Sequence, residues 1–330
     1  MMKKYFLILL CFVAFSNLSI GQQVYNKENP LAHTYSIVAR DTLTGEMGVA
    51  VQSHWFSVGS IVAWGKAGVG VVATQSFVNP SFGPRGLSLL ENGLSPQMAV
   101  ESLLKLDEGL AVRQLAILDV KGNVFAYTGS NCIDYAGHII GNNFSVQANL
   151  MEKPTVWQAM AKAFENSKGS LAERMLIAME AAESEGGDIR GKQSAAILVV
   201  KAKSNGNLWE DKVVDLRVDD HENPLLEMRR LLNIHNAYEY MNRGDVAVET
   251  NDFKLAKELY QKAQELNPDN LEMKFWYAVT LANNGNIKEA KIVFSSIFKQ
   301  HKNWQILLPR LVKSQLLKVS EEELKSFMQI

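Results

Sequence analysis

The chain has 330 residues, 47% of them hydrophobic and 21% charged, with 34 lysines and arginines against 35 aspartates and glutamates. That composition excludes a disordered chain and a fibrous repeat. The near-neutral balance argues against a dedicated nucleic-acid binder, whose phosphate contacts need a basic surface.

At roughly 100–200 residues per domain, the length fits two domains. The first segment reads as an export signal. Lys3 and Lys4 precede an apolar run from Tyr5 to Phe15, and Ser19-Ile20-Gly21 follows, so residues 1–21 have the layout of a secretory signal peptide cut after Gly21. The run is too short for a membrane span, which takes about 20 residues. The expectation is an exported protein, periplasmic or extracellular, with residues 22–33 as linker or propeptide. No later stretch is apolar enough to cross a membrane. Cys11 leaves with the signal, so Cys132 is alone and reads as a small buried hydrophobe. The six histidines are scattered, and no cluster has metal-ligand spacing. Neither a metal nor a cofactor is expected.

From about residue 33 to 219 the texture is α/β. Thr34 to Ala39 and Met47 to Ser53 read as strands of a hairpin around the turn Asp41 to Glu46. A second hairpin is expected from Gly59–Trp64 and Val69–Thr74 around Gly65 to Gly68, and a third from Leu115–Val120 and Val124–Thr128. Helices are expected at Arg85–Asn92, stopped by Gly93, and after the Ser95-Pro96 cap, where Val100, Leu103 and Leu104 share a face. Pro154–Asn166 and Leu171–Ser184 read as two more helices, and Ser194–Lys201 and Val213–Val218 as the last strands. Strands and helices in segregated runs predict an α+β fold with stacked sheets between helical layers. No G-x-G-x-x-G follows a strand, and there is no P-loop.

From about Asn223 the texture is helical. Gly244, Ala256, Tyr260, Ala263 and Pro268 occupy the small, aromatic and proline positions of a 34-residue tetratricopeptide unit. A shift of 34 sets Ala278 under Gly244, Ala290 under Ala256 and Phe294 under Tyr260. Leu307–Leu317, with Pro309 in its first turn, is the expected capping helix. Residues 224–330 should therefore form an all-α tetratricopeptide-like domain, whose concave groove commonly takes a protein or peptide partner.

Several specific motifs stand in order along the α/β part of the chain. They are Thr34-Tyr35-Ser36-Ile37-Val38-Ala39-Arg40-Asp41, Gly48-Val49-Ala50-Val51-Gln52-Ser53, Ala67-Gly68-Val69-Gly70 leading to Ala73-Thr74-Gln75-Ser76, Asn79-Pro80, Phe82-Gly83-Pro84-Arg85-Gly86, and Gly186-Gly187-Asp188-Ile189-Arg190-Gly191-Lys192-Gln193-Ser194-Ala195. Together they resemble a bacterial and archaeal family labelled domain of unknown function 1028, and the resemblance covers residues 33–219. It implies an N-terminal-nucleophile (Ntn) hydrolase-like fold, a four-layer αββα sandwich, over residues 34–219.

An Ntn hydrolase uses the hydroxyl or thiol of its first residue as nucleophile and the free α-amine beside it as base, a role suited by an amine pKa of about 8. The matching residue is Thr34. Family members often begin Met-Thr, whereas here His33 precedes the threonine, so Thr34 becomes terminal only if the His33–Thr34 bond is cut. Lys66 follows at the Thr…Lys separation of proteasome-type peptidases and is the second candidate catalytic residue. Gln75 and Asn79 flank a strand end that suits substrate binding or an oxyanion hole. Arg190 could clamp a substrate carboxylate and Asp188 an amine, with Arg85 a further substrate-binding candidate.

The implied function is an exported amidohydrolase or peptidase acting on a small-molecule or peptide amide. The alternatives are a catalytically silent Ntn-like binding or scaffold protein, and a tail that drives homo-oligomerisation.

Overall fold

The computed structural model describes residues 31–329. The expected export signal lies outside the described residues. The chain divides into two compact units, one ending at Leu225 and the other beginning at Leu226.

In the first unit every strand pairing is antiparallel. One sheet runs β1 (Leu31–Ala32), β5 (Gly70–Phe77), β6 (Arg113–Asp119), β7 (Val124–Thr128), with β4 (Ala63–Lys66) also on β5. The other runs β11 (Lys212–Val218), β10 (Ser194–Val200), β3 (Met47–Ser53), β2 (Thr34–Arg40), β9 (Phe144–Ala148), β8 (Gly137–Gly141). Helices α1 (Phe82–Glu91) and α2 (Pro96–Lys105) cover the first sheet, while α3 (Val156–Asn166) and α4 (Leu171–Ser184) cover the second. The sheets face each other, which makes four layers, αββα.

Local chemistry explains the elements. Asp41 turns the first hairpin by accepting from the backbone N–H groups of Leu43 and Thr44. Ser95 caps α2 with Pro96 in its first turn, and Ser170 and Glu173 form a capping box on α4. Three elements differ from the sequence expectation. Gly59–Trp64 is not one strand: a 3₁₀ turn at Val58–Ser60 comes first, and β4 starts at Ala63. Helix α1 begins at Phe82, three residues before the expected Arg85. The hairpin β8–β9 is an addition, turned by Asn142-Asn143 with Asn143 at φ 63°. Gly141 is obligatory there, because a Cβ would lie 2.0 Å from the Phe144 ring.

The space between the sheets has two halves. Inward positions Val38, Val49, Val51, Val71, Ala73, Ala116, Leu118, Ala196 and Leu198 form an apolar core. Along each strand the same face then turns polar towards one end: Val38 gives way to Ser36 and Thr34, Ala73 to Gln75, Ala116 to Gln114, and Ala196 to Ser194. All of these polar residues are buried. A fully buried Val or Leu contributes ~1.5–3 kcal/mol, so the apolar half supplies the stability against which a polar half can be tolerated.

The second unit holds α5 (Pro224–Glu249), α6 (Phe253–Leu266), α7 (Leu271–Asn283), α8 (Ile287–Gln300), α9 (Asn303–Lys313) and α10 (Glu321–Met328). Helices α6 and α8 are offset by 34 residues at both ends, matching the repeat. Ala256, Tyr260, Ala263, Ala278, Ala290 and Phe294 are all buried. At Gly244 an added Cβ would stand 3.1 Å from the Tyr260 ring, so the small residue lets the helices approach. The capping helix is corrected: α9 starts at Asn303, which puts Pro309 inside it rather than in its first turn. Helix α10, capped by Ser320 and Glu323, sets Phe327 against Phe294 at 5.1 Å.

Since the two sheets and four helices close a core of their own, a fragment of residues 31–223 is expected to unfold in one cooperative urea transition. A broad, non-cooperative transition would mean that the helical unit completes the core.

Candidate functional site

The polar half of the inter-sheet space is one connected network. Gln75 reaches across from the first sheet: its Nε2 donates to the Thr34 carbonyl at 3.2 Å and to Gln114 Oε1 at 2.7 Å, and its Oε1 accepts from Ser36 Oγ at 2.6 Å. Gln147 Nε2 donates to Ser36 Oγ, and Asn149 Nδ2 donates to Gln114 Oε1 at 2.9 Å and to the Thr34 carbonyl at 3.3 Å. Gln114 Nε2 binds Thr128 Oγ1 and the Ala148 carbonyl, each at 2.9 Å. Buried amides of this kind persist because each finds partners; an unsatisfied one costs ~1–3 kcal/mol.

The chain changes sheet at this end. Leu31–Ala32 pair with Phe77 and Ser76 on β5 of the first sheet, and Thr34 opens β2 of the second. His33 is the crossing residue, and His33 and Thr34 are both buried. The His33 carbonyl, which belongs to the bond before Thr34, accepts from Ser53 Oγ at 2.5 Å and from Arg190 Nη2 at 2.8 Å. Arg190 is held in turn by Asp188, whose carboxylate is fully buried and takes Arg190 Nε at 3.0 Å and Nη2 at 2.7 Å, together with the backbone N–H groups of Arg190 and His54. The Gly186–Gly191 loop therefore aims one guanidinium at one carbonyl.

The imidazole of His33 is fixed as firmly. Its Nδ1 lies 2.8 Å from Asn149 Oδ1, which can only accept, so Nδ1 carries the proton. The ring meets Phe77 edge-on at 5.6 Å. Burial lowers the pKa of His33, and the nearby Arg190 charge acts the same way, against the Asn149 bond and Asp188. Burial also lowers that of His138, whose Nδ1 pairs with Thr128 Oγ1.

An unfolded histidine takes its proton near pH 6.5, whereas the folded chain takes these two only at lower pH. Stability is full above about pH 6.5 and falls as pH drops towards the folded values. For the uncut chain the melting temperature is expected to fall between pH 7.5 and pH 5.5. His33→Gln should flatten part of that slope in calorimetry. A melting temperature that rises on acidification would contradict the assignment.

The seven residues singled out from the sequence divide. Thr34, Gln75, Asp188 and Arg190 meet at the sheet crossing. Lys66 does not: it pairs with Glu91 at 2.6 Å on the surface, and its partner on β5 is Gly70, five residues from Gln75 and so about 17 Å along the strand. The expected Thr34–Lys66 pairing is corrected on that ground. Arg85 is exposed on the outer helix α1. Asn79 supports from outside: its Nδ2 binds Asp107, which pairs with the buried Arg113, whose guanidinium holds the Phe77 carbonyl. Cys132 is buried, its thiol donates to the Arg113 carbonyl, and burial raises its pKa, so it is part of the packing. Ser53, Asn149, Gln114 and the carbonyl of His33 escaped the sequence reading. For Ser53 and Gln114 the signal was a polar residue at an inward position of an otherwise apolar strand; Asn149, just past β9, and the His33 carbonyl carried none. Among the described residues no group of three His, Cys, Asp or Glu could hold a metal, and no helix is long and apolar enough to cross a membrane.

The tetratricopeptide repeat model matches residues 247–311. A crystal structure of protein SPO2555 from Silicibacter pomeroyi, described as DUF1028, is 33% identical with a TM-score of 0.56, covering 61% of this chain and 85% of that one. Anbu (ancestral beta-subunit) from Yersinia bercovieri matches at 12% identity and a TM-score of 0.30, over 59% of this chain and 91% of that one. No curated protein matches. The family of unknown function DUF1028 matches residues 34–228, more than half of the chain, and the chain belongs to that family, with tetratricopeptide repeats following its DUF1028 domain.

Proposed function

We propose that this is an exported, Ntn-type hydrolase of amide bonds that acts on a small amide or peptide through Thr34, and that its helical repeats bind a protein or peptide partner. The observation that carries the reading is the grip on the His33 carbonyl by Ser53 Oγ and Arg190 Nη2. Two donors on one carbonyl, one of them cationic, stabilise the oxyanion that forms when that carbonyl is attacked.

The first reaction is the chain's own activation. The Thr34 hydroxyl oxygen attacks the His33 carbonyl carbon, and the C–N bond breaks. The leaving nitrogen takes the hydroxyl proton and becomes the free α-amine, while an ester joins the His33 acyl group to Thr34 Oγ1. Water then hydrolyses the ester and frees the leader with a carboxylate on His33. Thr34 now has both its hydroxyl and its amine, the nucleophile and base that a later amide substrate needs. Ser53 and Arg190 turn to that substrate's carbonyl.

Mass spectrometry of protein purified from its native host tests the reading. A chain beginning at Thr34 is the expected result. A chain that hydrolyses an amide with His33 still attached would overturn the free-amine mechanism. A chain beginning near Gln22 and inactive on amides would leave the other reading, a silent Ntn-like binding protein.

A further inference from the structure

On the reading just given, the leader does more than block the amine. Leu31 and Ala32 lie extended and antiparallel to the end of β5, against Phe77 and Ser76, as a substrate strand added to a sheet edge would lie. His33 follows in a closed pocket. Asn149 offers Oδ1 to the ring, and Asn149 cannot turn, because its Nδ2 is engaged by Gln114 and the Thr34 carbonyl. Phe77 closes one side, and its backbone is pinned by the Arg113–Asp107 pair. The scissile carbonyl sits between its two donors. Once the leader departs, the edge of β5, the Asn149 acceptor and the two carbonyl donors lose their occupants together.

We infer that residues 31–33 fill the acyl-side subsite of the processed enzyme. Its substrate is then an extended peptide with a neutral, hydrogen-bond-donating side chain, histidine above all, on the acyl side of the amide that is cut. Three features set that choice. The fixed acceptor of Asn149 favours a donor. Burial disfavours a charged side chain. The Arg190 guanidinium beside the pocket disfavours a cation more than its partner Asp188 favours one, and an anionic side chain would meet the Asn149 oxygen.

The test uses the chain starting at Thr34, obtained by its own processing or by removing a fusion placed directly before Thr34. Three chromogenic anilides are compared at pH 7.5: Leu-Ala-His, Leu-Ala-Leu and Leu-Ala-Asp. The histidine anilide is expected to have a kcat/KM about tenfold above that of leucine, the worth of one buried hydrogen bond. Its advantage should shrink as the free imidazole protonates below about pH 6.5. Asn149→Leu should bring the histidine substrate down to the leucine rate. Equal rates for all three anilides would overturn the subsite and leave the hydrolase reading standing. Binding of the tripeptide acid Leu-Ala-His, followed by calorimetry, separates the two claims further. Binding without turnover would support the subsite and sink the hydrolase reading, whereas neither binding nor turnover would sink both.

Discussion

Thr34→Ala is expected to leave the His33–Thr34 bond intact and to lower amide hydrolysis by at least about 10³-fold, the usual cost of removing a covalent nucleophile. On the proposed mechanism both losses follow from one atom, Oγ1, the nucleophile towards the His33 carbonyl in activation and towards the substrate afterwards. Thr34→Ser keeps a hydroxyl on a less restrained side chain, so it should still release its leader and retain part of the activity. Thr34→Val keeps the branched shape without the hydroxyl and should behave like alanine. The stability cost should be small beside these effects. Thr34 is fully buried, yet its carbonyl partners Gln75 and Asn149 bind backbone, which the substitution leaves in place. Removing a buried hydroxyl and methyl then costs about 1–2 kcal/mol. The release is read by the mass of the chain, the hydrolysis with any amide that the unaltered chain turns over. A Thr34→Ala chain cut at the usual rate would assign the cleavage to another protease.

Much of this fold was legible because local rules and tertiary packing agree. Ser95-Pro96 and Ser170…Glu173 cap helices where they stand, and the 34-residue offset that aligns Tyr260 with Phe294 is repeated in the helix bounds. The β8–β9 hairpin was hidden because glycines at both ends of β8 dilute the strand signal, although Asn142-Asn143 marked the turn. The candidate site was legible only in pieces. Each of Thr34, Gln75, Asp188 and Arg190 stood in a recognisable motif. That they share one end of the sandwich depends on the register of strands across two sheets, which spacing along the chain does not supply. Lys66 shows the limit: its separation from Thr34 suggested a pair, but β4 runs to the opposite end of β5. The amides of Gln114, Gln147 and Asn149 read singly as ordinary polar residues, and only their convergence makes them a network.

Arg190 carries the second large effect, because it holds two structures together. Its guanidinium pairs in two places with the fully buried Asp188 carboxylate and uses Nη2 as well for the His33 carbonyl. Arg190→Ala leaves that carboxylate buried with only backbone N–H partners, and breaking such a pair from one side costs about 3–5 kcal/mol. The lower end is expected, since part of the arginine side chain is in contact with solvent and water can replace it. Leader release should slow by about 10²–10³-fold, the usual loss for one oxyanion donor. Arg190→Lys separates the two roles. An ammonium can still pair with Asp188, but it lacks the planar fork that serves carboxylate and carbonyl at once, so stability should recover further than cleavage does. Ser53→Ala gives the converse case. It removes the other donor to the His33 carbonyl at a cost of about 1 kcal/mol, with the Asp188–Arg190 pair untouched. Urea unfolding measures one effect, and the time course of leader release measures the other. Slow release in both Arg190→Lys and Ser53→Ala, each still well folded, is the pattern of a carbonyl held for attack. Release at the usual rate in both would make the grip on His33 an ordinary loop anchor.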